Sequence, residues 1–314
     1  MAAASEHNLK LGVVARANYG ALKDGSVKPR GITLDVQEIA PMPRLFDRMI
    51  ADGEFDISEM AIVTYLQLLE FGLPFTAIPV FPFRAFPQGT MLMNVNAGVA
   101  SPKDLEGKKM GVRAYAGTAG VWARGLLESE YGVDPFKVKW LVNDQEHIGE
   151  YHNPENVEFV QGANLGELLT SGEIAAGIGI MGLDSPDVKP LIGNARQAQE
   201  EWFKKTGIYP MNNTVVVKNE VLARDPEIAA SLLQAFTEAK EAYVSRLKTS
   251  GPTEGVRDEE ADKRLMDLVG DPLPVGVEAN RKGLEQIIKY AKSQKIIQKN
   301  LTPEDLFTEN TRKS

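Results

Sequence analysis

The chain has 314 residues, of which 43% are hydrophobic and 25% charged, so disordered, collagen-like and coiled-coil architectures are excluded. Its net charge of −8 argues against a general nucleic-acid binder and provides no attraction to an anionic membrane. The sequence has no cysteine, which excludes disulfides, thiolate nucleophiles, thiolate metal sites and iron–sulfur clusters.

Targeting signals are also missing from the sequence. No segment reaches the roughly 18 consecutive apolar residues of a membrane-spanning helix. Residues 1–8 have neither the basic start nor the apolar stretch of about 7–15 residues that a signal peptide needs. These observations predict a protein with no membrane partner and a cytoplasmic location.

Strands and helices alternate from the start of the chain. Short apolar runs predict strands, and apolar residues three and four positions apart predict helices. Up to residue 95, the predicted strands are 9–15, 32–39, 55–59, 75–80 and 91–95, and the predicted helices are 43–52 and 61–71.

The pattern restarts at Ser101, which precedes Pro102 and predicts a helix N-cap. The later predicted strands are 110–115, 138–142, 174–180 and 214–218, and the later predicted helices are 117–130, 165–171, 197–205, 225–243 and 277–298. This alternation indicates an α/β fold with mostly parallel sheets. The restart predicts two lobes, with residues 1–94 and 216–314 in lobe 1 and residues 95–215 inserted as lobe 2. A ligand cleft is expected between such lobes.

Several motifs carry a resemblance to a known family. They are residues 55–60 (FDISEM), 77–82 (AIPVFP) with Arg84 and Phe86, 121–125 (VWARG) and 205–210 (KTGIYP). In this order they resemble the 4,5-dihydroxyphthalate decarboxylase family, over most of residues 9–240. The resemblance implies the two-lobed fold of type II periplasmic binding proteins, which the substrate-binding components of transporters share. It implies a decarboxylase less directly, because that fold also serves proteins without chemistry.

The chain departs from the family pattern at two points. Gln88 stands in a segment where an Arg-His pair is usual, and Asn212 and Asn213 stand where a histidine is usual. Together with Tyr19, these three residues belong to the predicted substrate-binding set. The missing histidines remove the most obvious proton donors of the family.

Two arginines and one helix start are the candidate anion anchors. Arg84 lies in a rigid Pro- and Phe-rich segment and can meet a carboxylate bidentately, although a surface ion pair is the alternative. Arg16 follows the first strand. Residues 117–120 open a helix whose free N–H groups, with the side chains of Tyr115 and Thr118, predict a carboxylate site. The alternative is that these glycines serve packing.

The candidate acid–base residues are Glu59 and His147. Ser58 and Glu59 end a predicted strand, so Ser58 can donate to a carboxylate or phenol and Glu59 can deliver a proton. The alternative makes them a capping pair for the helix that begins near Ala61. His147 and His152 lie among carboxylates, but a spacing of five residues suits one helical face poorly, so no metal site is predicted.

Two functions remain open on the sequence. The first is a decarboxylase of a hydroxylated, phthalate-like aromatic carboxylate, which needs no cofactor because the ring hydroxyl supplies the electron push. The second is a non-catalytic binding protein for an aromatic or other organic acid. In both cases the expected partner is a small anionic aromatic molecule, with a homo-oligomer as a further possibility.

Overall fold

The computed structural model describes residues 7–314. Residues 1–6, which carry most of the prediction about a signal peptide, lie outside the described residues. None of the helices in the described range is both long enough and apolar enough to cross a membrane.

Strands and helices alternate along the chain, as predicted. As far as Arg84, the elements are β1 (His7–Val13), α1 (Gly20–Lys23), β2 (Ile32–Glu38), α2 (Met42–Ile50), β3 (Ile57–Ala61), α3 (Ile62–Glu70) and β4 (Phe75–Ile78). Up to Asn212 there follow β5 (Met91–Asn94), β6 (Lys109–Val112), α4 (Thr118–Tyr131), β7 (Lys139–Val142), β8 (Val157–Phe159), α5 (Leu165–Ser171), β9 (Ala176–Ile178), β10 (Val188–Pro190) and α6 (Ala195–Thr206). The remainder contains β11 (Asn213–Lys218), α7 (Asn219–Leu222), α8 (Ile228–Ser250), α9 (Arg257–Val269) and α10 (Arg281–Ser293).

The chain divides into two compact units. Unit 1 contains the residues up to Arg84 together with Asn213–Arg281 and Leu301–Ser314, and unit 2 contains Ala85–Asn212 and Lys282–Asn300. Each unit has its own sheet, with strand order β2-β1-β3-β11-β4 in unit 1 and β10-β5-β9-β6-β7-β8 in unit 2. In the described part of each sheet a single strand, β11 or β5, runs antiparallel to both neighbours. The sheets are therefore mixed, with the remaining strands parallel to one another.

The core of unit 1 lies between its sheet and α8. Leu9, Leu11 and Val13 of β1 are buried, and α8 contributes a stripe that includes Leu232 and Phe236. Each such side chain is worth about 1.5–3 kcal/mol when it leaves water. This packing places the end of β1, and therefore the segment that begins at Val14, against the rest of the unit.

Local capping chemistry sets several helix ends. The side chain of Asn164 accepts hydrogen bonds from the backbone N–H groups of Gly166 and Glu167 at the start of α5. The same helix ends at Gly172, whose φ of 83° is accessible to glycine at little cost. The observed bounds of α5 coincide with the predicted ones because both signals are local.

Two segments assigned to lobe 1 by the sequence lie in unit 2, and residues 213–215, assigned to lobe 2, lie in unit 1. Residues 85–94, assigned to lobe 1, contain β5, which pairs with β9 and β10 in the sheet of unit 2. Residues 282–300, also assigned to lobe 1, form most of α10 in unit 2. Strand pairing and helix packing over long sequence distances decide these assignments. The strands β8 and β10 and the helices α1, α7 and α9 were not predicted.

Candidate functional site

A hydrogen-bonded network in unit 1 is built around Glu59. Its side chain is fully buried on β3, and Oε2 accepts hydrogen bonds from the Tyr19 hydroxyl (2.9 Å) and the Val14 backbone N–H (3.3 Å). The other oxygen, Oε1, accepts from Asn213 Nδ2 (2.5 Å) and Arg16 Nε (3.4 Å). Three predicted substrate-binding residues are thus brought to one predicted catalytic residue. Both carboxylate oxygens are occupied, so proton delivery from Glu59 would require one of these bonds to break.

Ser58 and Glu59 do not cap a helix. Both lie within β3, and α3 begins at Ile62 with Ala61 at its N-cap and no side-chain capping bond. The Ser58 hydroxyl is fully buried and donates to the Glu59 carbonyl oxygen at 2.8 Å. The capping alternative is therefore wrong, because β3 continues past both residues before the helix starts.

Arg16 is held from several sides. Its side chain is only 7% exposed, and Nη1 donates to Asp258 Oδ2 at 2.7 Å. The guanidinium carbon lies 4.2 Å from the centroid of the Phe83 ring, a cation–π distance. Burial acts to lower the pKa of Arg16, but the charges of Glu59 and Asp258 and the nearby Tyr19 outweigh it, and the pKa is raised. The group is a fixed cation.

Arg84 is buried and not a surface arginine. Its Nη2 donates to Asn280 Oδ1 and, at 3.3 Å, to the Pro274 carbonyl oxygen, both of which are neutral acceptors. The guanidinium carbon also lies 5.3 Å from the centroid of the Phe81 ring. These contacts fix its direction, as the rigid sequence around it suggested.

Arg16 and Arg84 line one cavity within unit 1. The space accessible to water measures about 30 Å³, and the cavity with its open mouth measures about 350 Å³. Its lining consists of Arg16, Ala17, Asn18, Pro82, Phe83, Arg84, Tyr243, Asp258, Ala261 and Asp262. The enclosed part is small, and the larger volume includes open solvent at the mouth.

The helix α9 contributes two carboxylates to this cavity. Asp258 pairs with Arg16, and Asp262 Oδ2 accepts a hydrogen bond from the Tyr243 hydroxyl at 2.8 Å. Burial raises the pKa of Asp262 to about 6, and the charges of Asp258 and Glu259 add to this, while the Tyr243 bond and Arg16 oppose it. Sequence reasoning missed α9. The acidic residues 258–260, followed by strong helix formers, are the signal that could have revealed it.

In unit 2, the start of α4 has a carboxylate partner within the chain. Glu146 Oε1 accepts hydrogen bonds from the Tyr115 N–H (2.6 Å) and the Ala116 N–H (3.2 Å), just before the helix begins at Thr118. Burial raises the pKa of Glu146, while these two bonds, Arg124 and His147 act to lower it. The structure therefore places a carboxylate of the chain next to the helix start at which the sequence predicted an anion. It also places His147 beside that carboxylate.

The motif at 121–125 holds unit 2 together. Trp122 Nε1 donates to the Met211 carbonyl oxygen at 2.9 Å. Arg124 is buried, donates to Gln294 Oε1 at 2.8 Å and lies 3.9 Å from the centroid of the Tyr115 ring. Burial lowers its pKa. The contacts of Trp122 and Arg124 therefore give this motif a structural role within unit 2.

Three predicted residues of unit 2 have buried polar atoms without hydrogen-bond partners, as do several other residues of the described chain. Within the described chain, both amide atoms of Gln88, the Tyr115 hydroxyl and Asn212 Oδ1 have no hydrogen-bond partner. All three residues are less than 9% exposed. Since more than nine in ten buried polar groups in proteins are paired, these atoms call for a partner such as ordered water or a polar group of a ligand.

The described part of the chain has no set of side chains that could bind a metal ion. Residues 7–314 contain no group of three or more His, Asp or Glu side chains arranged to hold a metal ion. His152 is exposed, and neither His147 nor His152 belongs to such a group in the described range.

Two curated relatives share extensive sequence similarity with this chain. The chain is 30% identical to a 4,5-dihydroxyphthalate decarboxylase from Comamonas testosteroni over 257 residues, which cover 76% of this chain and 78% of the relative. It is 29% identical to the enzyme of the same name from Pseudomonas putida over 212 residues, which cover 63% of this chain and 81% of the relative. No protein-family model matches the chain.

Solved structures share the fold at much lower identity. The periplasmic aliphatic sulphonate binding protein SsuA from Escherichia coli superposes with a TM-score of 0.56 at 12% identity, covering 97% of this chain and 93% of that one. A Candida albicans protein described as having the generic periplasmic binding protein fold gives 0.52 at 11% identity, covering 94% and 92%. The desulfurization enzyme DSZB gives 0.51 at 13% identity, covering 96% of both chains. The two α/β units thus form a periplasmic-binding-protein-like fold, and by sequence the chain belongs to the 4,5-dihydroxyphthalate decarboxylase family.

Proposed function

We propose that the chain is a cofactor-independent decarboxylase of a hydroxylated aromatic carboxylate of the phthalate type. Membership of the decarboxylase family supports this class of reaction. The observation that carries the proposal is the cavity of unit 1, which is lined by the buried guanidinium groups of Arg16 and Arg84. Fixed cations of this kind suit a substrate that carries adjacent carboxylates.

The chemistry places modest demands on the protein. A ring hydroxyl ortho or para to a carboxylate pushes electron density onto the carbon that bears it. An acid protonates that carbon, and carbon dioxide leaves as the aromatic ring is restored. The substrate itself meets the electron demand, so thiamine, pyridoxal and flavin are not needed. The protein must hold the carboxylates, deliver a proton and exclude water.

Within this proposal the network of Glu59 positions the cationic anchor. Glu59 accepts from Arg16 Nε, which leaves the outer edge of the guanidinium directed to Asp258 and the cavity. Tyr19 and Asn213 complete the hydrogen bonds of the same carboxylate. Proton delivery from Glu59 stays a prediction.

The residues of unit 2 enter the proposal on a separate observation. The unpaired buried atoms of Gln88, Tyr115 and Asn212 support their assignment as substrate-binding residues. Thr118 at the start of α4 and His147 beside Glu146 stay predictions in their binding and acid–base roles.

The second candidate is a binding protein without chemistry. The occupied oxygens of Glu59 favour it, because the proton donor predicted from the sequence is committed to four hydrogen bonds. The shared fold does not separate the two functions, since it is found both in a sulphonate-binding protein and in a desulfurization enzyme.

Carbon dioxide release from 4,5-dihydroxyphthalate tests the proposal. The purified protein should release one carbon dioxide per molecule of substrate without any added cofactor. The assay should extend to a panel of hydroxylated benzoates and phthalates, with phthalate as the substrate that lacks the hydroxyl push. Binding of several panel members without turnover of any would favour the binding protein and refute the decarboxylase.

A further inference from the structure

The helix α9 brings an acidic side chain to the arginine-lined cavity. Asp258 and Asp262 are four residues apart and therefore lie on the same face of the helix. Asp258 forms an ion pair with Arg16. Asp262 also lines the cavity, and it accepts a hydrogen bond from the hydroxyl of Tyr243 on α8. A carboxyl group thus stands in the same cavity as the two cations that would hold a substrate.

We propose that Asp262 is the catalytic proton donor of this protein and that Tyr243 is its positioning residue. The inference rests on the proposed decarboxylase function and names the acid that this function requires. Glu59 is less suited to the task because it does not line the cavity and both its oxygens accept hydrogen bonds from other residues.

The surroundings of Asp262 let it keep its proton up to about pH 6. The charged and titratable groups that act on it are Arg16 from the segment after β1, Tyr243 from α8, and Asp258 and Glu259 from α9 itself. Burial is the largest influence and the two carboxylates add to it, so the pKa lies at about 6 instead of the ordinary 3.8. An acid with a pKa near the working pH is both protonated and able to release its proton.

The proposed step balances in protons and electrons. The Asp262 proton forms a C–H bond at the ring carbon that bears the carboxylate, using a π electron pair that the ring hydroxyl has made available. The bond between that carbon and the carboxylate then breaks, and its electron pair returns to the ring as carbon dioxide leaves. Asp262 is left as a carboxylate and regains its proton from water. Overall, one proton is consumed for each carbon dioxide released.

Kinetics with 4,5-dihydroxyphthalate test the role of Asp262. Asp262→Asn should lower kcat by about 10²–10⁴-fold while KM changes by only several-fold, because the amide keeps the shape but delivers no proton. Asp262→Glu should recover part of the lost rate. Asp267→Asn, at an exposed position of the same helix, is the matched control and should behave as the parent. The parent rate should fall as the pH rises through about 6, where Asp262 loses its proton.

A second measurement does not depend on turnover. Because the pKa of Asp262 is raised by folding, the folded protein holds this proton more tightly than the unfolded chain does. The parent should therefore lose melting temperature relative to Asp262→Asn as the pH rises from about 4 to about 6. Parallel melting curves of the two proteins across this range would overturn the protonation argument.

The outcomes separate this inference from the proposed function. If the parent releases carbon dioxide and Asp262→Asn retains its kcat and pH profile, the assignment of Asp262 is wrong while the decarboxylase stands. If the parent turns over no member of the substrate panel, the decarboxylase fails and the role of Asp262 fails with it.

Discussion

Replacing Arg84 tests whether the cavity of unit 1 binds a carboxylate. Arg84→Met removes the charge, and with it the cation–π contact with Phe81, while keeping most of the side-chain length. The variant loses hydrogen bonds to Asn280 Oδ1 and to the Pro274 carbonyl oxygen. At about 0.5–1.5 kcal/mol for each bond, the free energy of unfolding should fall by about 1–3 kcal/mol. Asn280 remains held by its own bonds to the carbonyl oxygens of Pro274 and Gly276, so the fold should survive.

Arg84→Met should also weaken the binding of phthalate, because the variant loses a charged donor to the carboxylate. A charge-assisted hydrogen bond to a carboxylate is worth about 1.5–3 kcal/mol, which corresponds to roughly ten- to 150-fold in Kd. Arg84→Lys should fall between the parent and Arg84→Met, because lysine keeps the charge but lacks the planar fork that engages two carboxylate oxygens.

Isothermal titration calorimetry with phthalate measures this loss without interference from turnover. Arg196→Met is the matched control, because Arg196 is an exposed arginine of α6 that contacts only the neighbouring Glu200 among the ion pairs described. A melting curve for each variant separates misfolding from lost affinity. If folded Arg84→Met bound phthalate as tightly as the parent, Arg84 would not be a carboxylate anchor.

Three further substitutions test other parts of the structure. Glu59→Gln should weaken phthalate binding by about tenfold and lower the melting temperature, because it disturbs the position of Arg16. A rate loss of 10²-fold or more with unchanged binding would instead make Glu59 the proton donor. Asp258→Asn should tighten phthalate binding by up to about fivefold in calorimetry, because the ion pair between exposed Asp258 and buried Arg16, worth about 0–1 kcal/mol, no longer competes for Arg16. Weaker binding would contradict this competition. Gly125→Ala should lower the free energy of unfolding by about 1–3 kcal/mol in urea denaturation, since a Cβ would lie 2.3 Å from the Tyr290 ring; an unchanged midpoint would show that the helices can separate without cost.

Proximity in the sequence explains which elements could be predicted. The alternation of apolar runs with amphipathic segments determines an α/β fold, because the periods of strand and helix are properties of neighbouring residues. Local caps act in the same way, as Asn164 and Gly172 do for α5. The family motifs are likewise local strings of residues, which is why they could be recognised before any contact was known.

The site combines predicted residues with one element that the sequence did not reveal. Arg16, Tyr19, Glu59 and Asn213 were all predicted, but their arrangement around one carboxylate follows from the pairing of β3 with both β1 and β11. The hydrogen bond from Asn213 to Glu59, which helps to make Glu59 an acceptor and not a proton donor, joins residues 154 positions apart. No local pattern carries that information.

Tertiary structure alone brings α9 to the cavity. Asp258 lies 242 positions after Arg16, and its helix was not predicted because its residues are mostly charged. The packing of α9 on α8 places Asp262 beside Tyr243 and partly buries it, and this loss of solvent raises its pKa. Composition and periodicity determine which elements form, because both act over a few residues. The position of a charged side chain in a cavity depends on how distant elements pack, and so it emerges only in the folded chain.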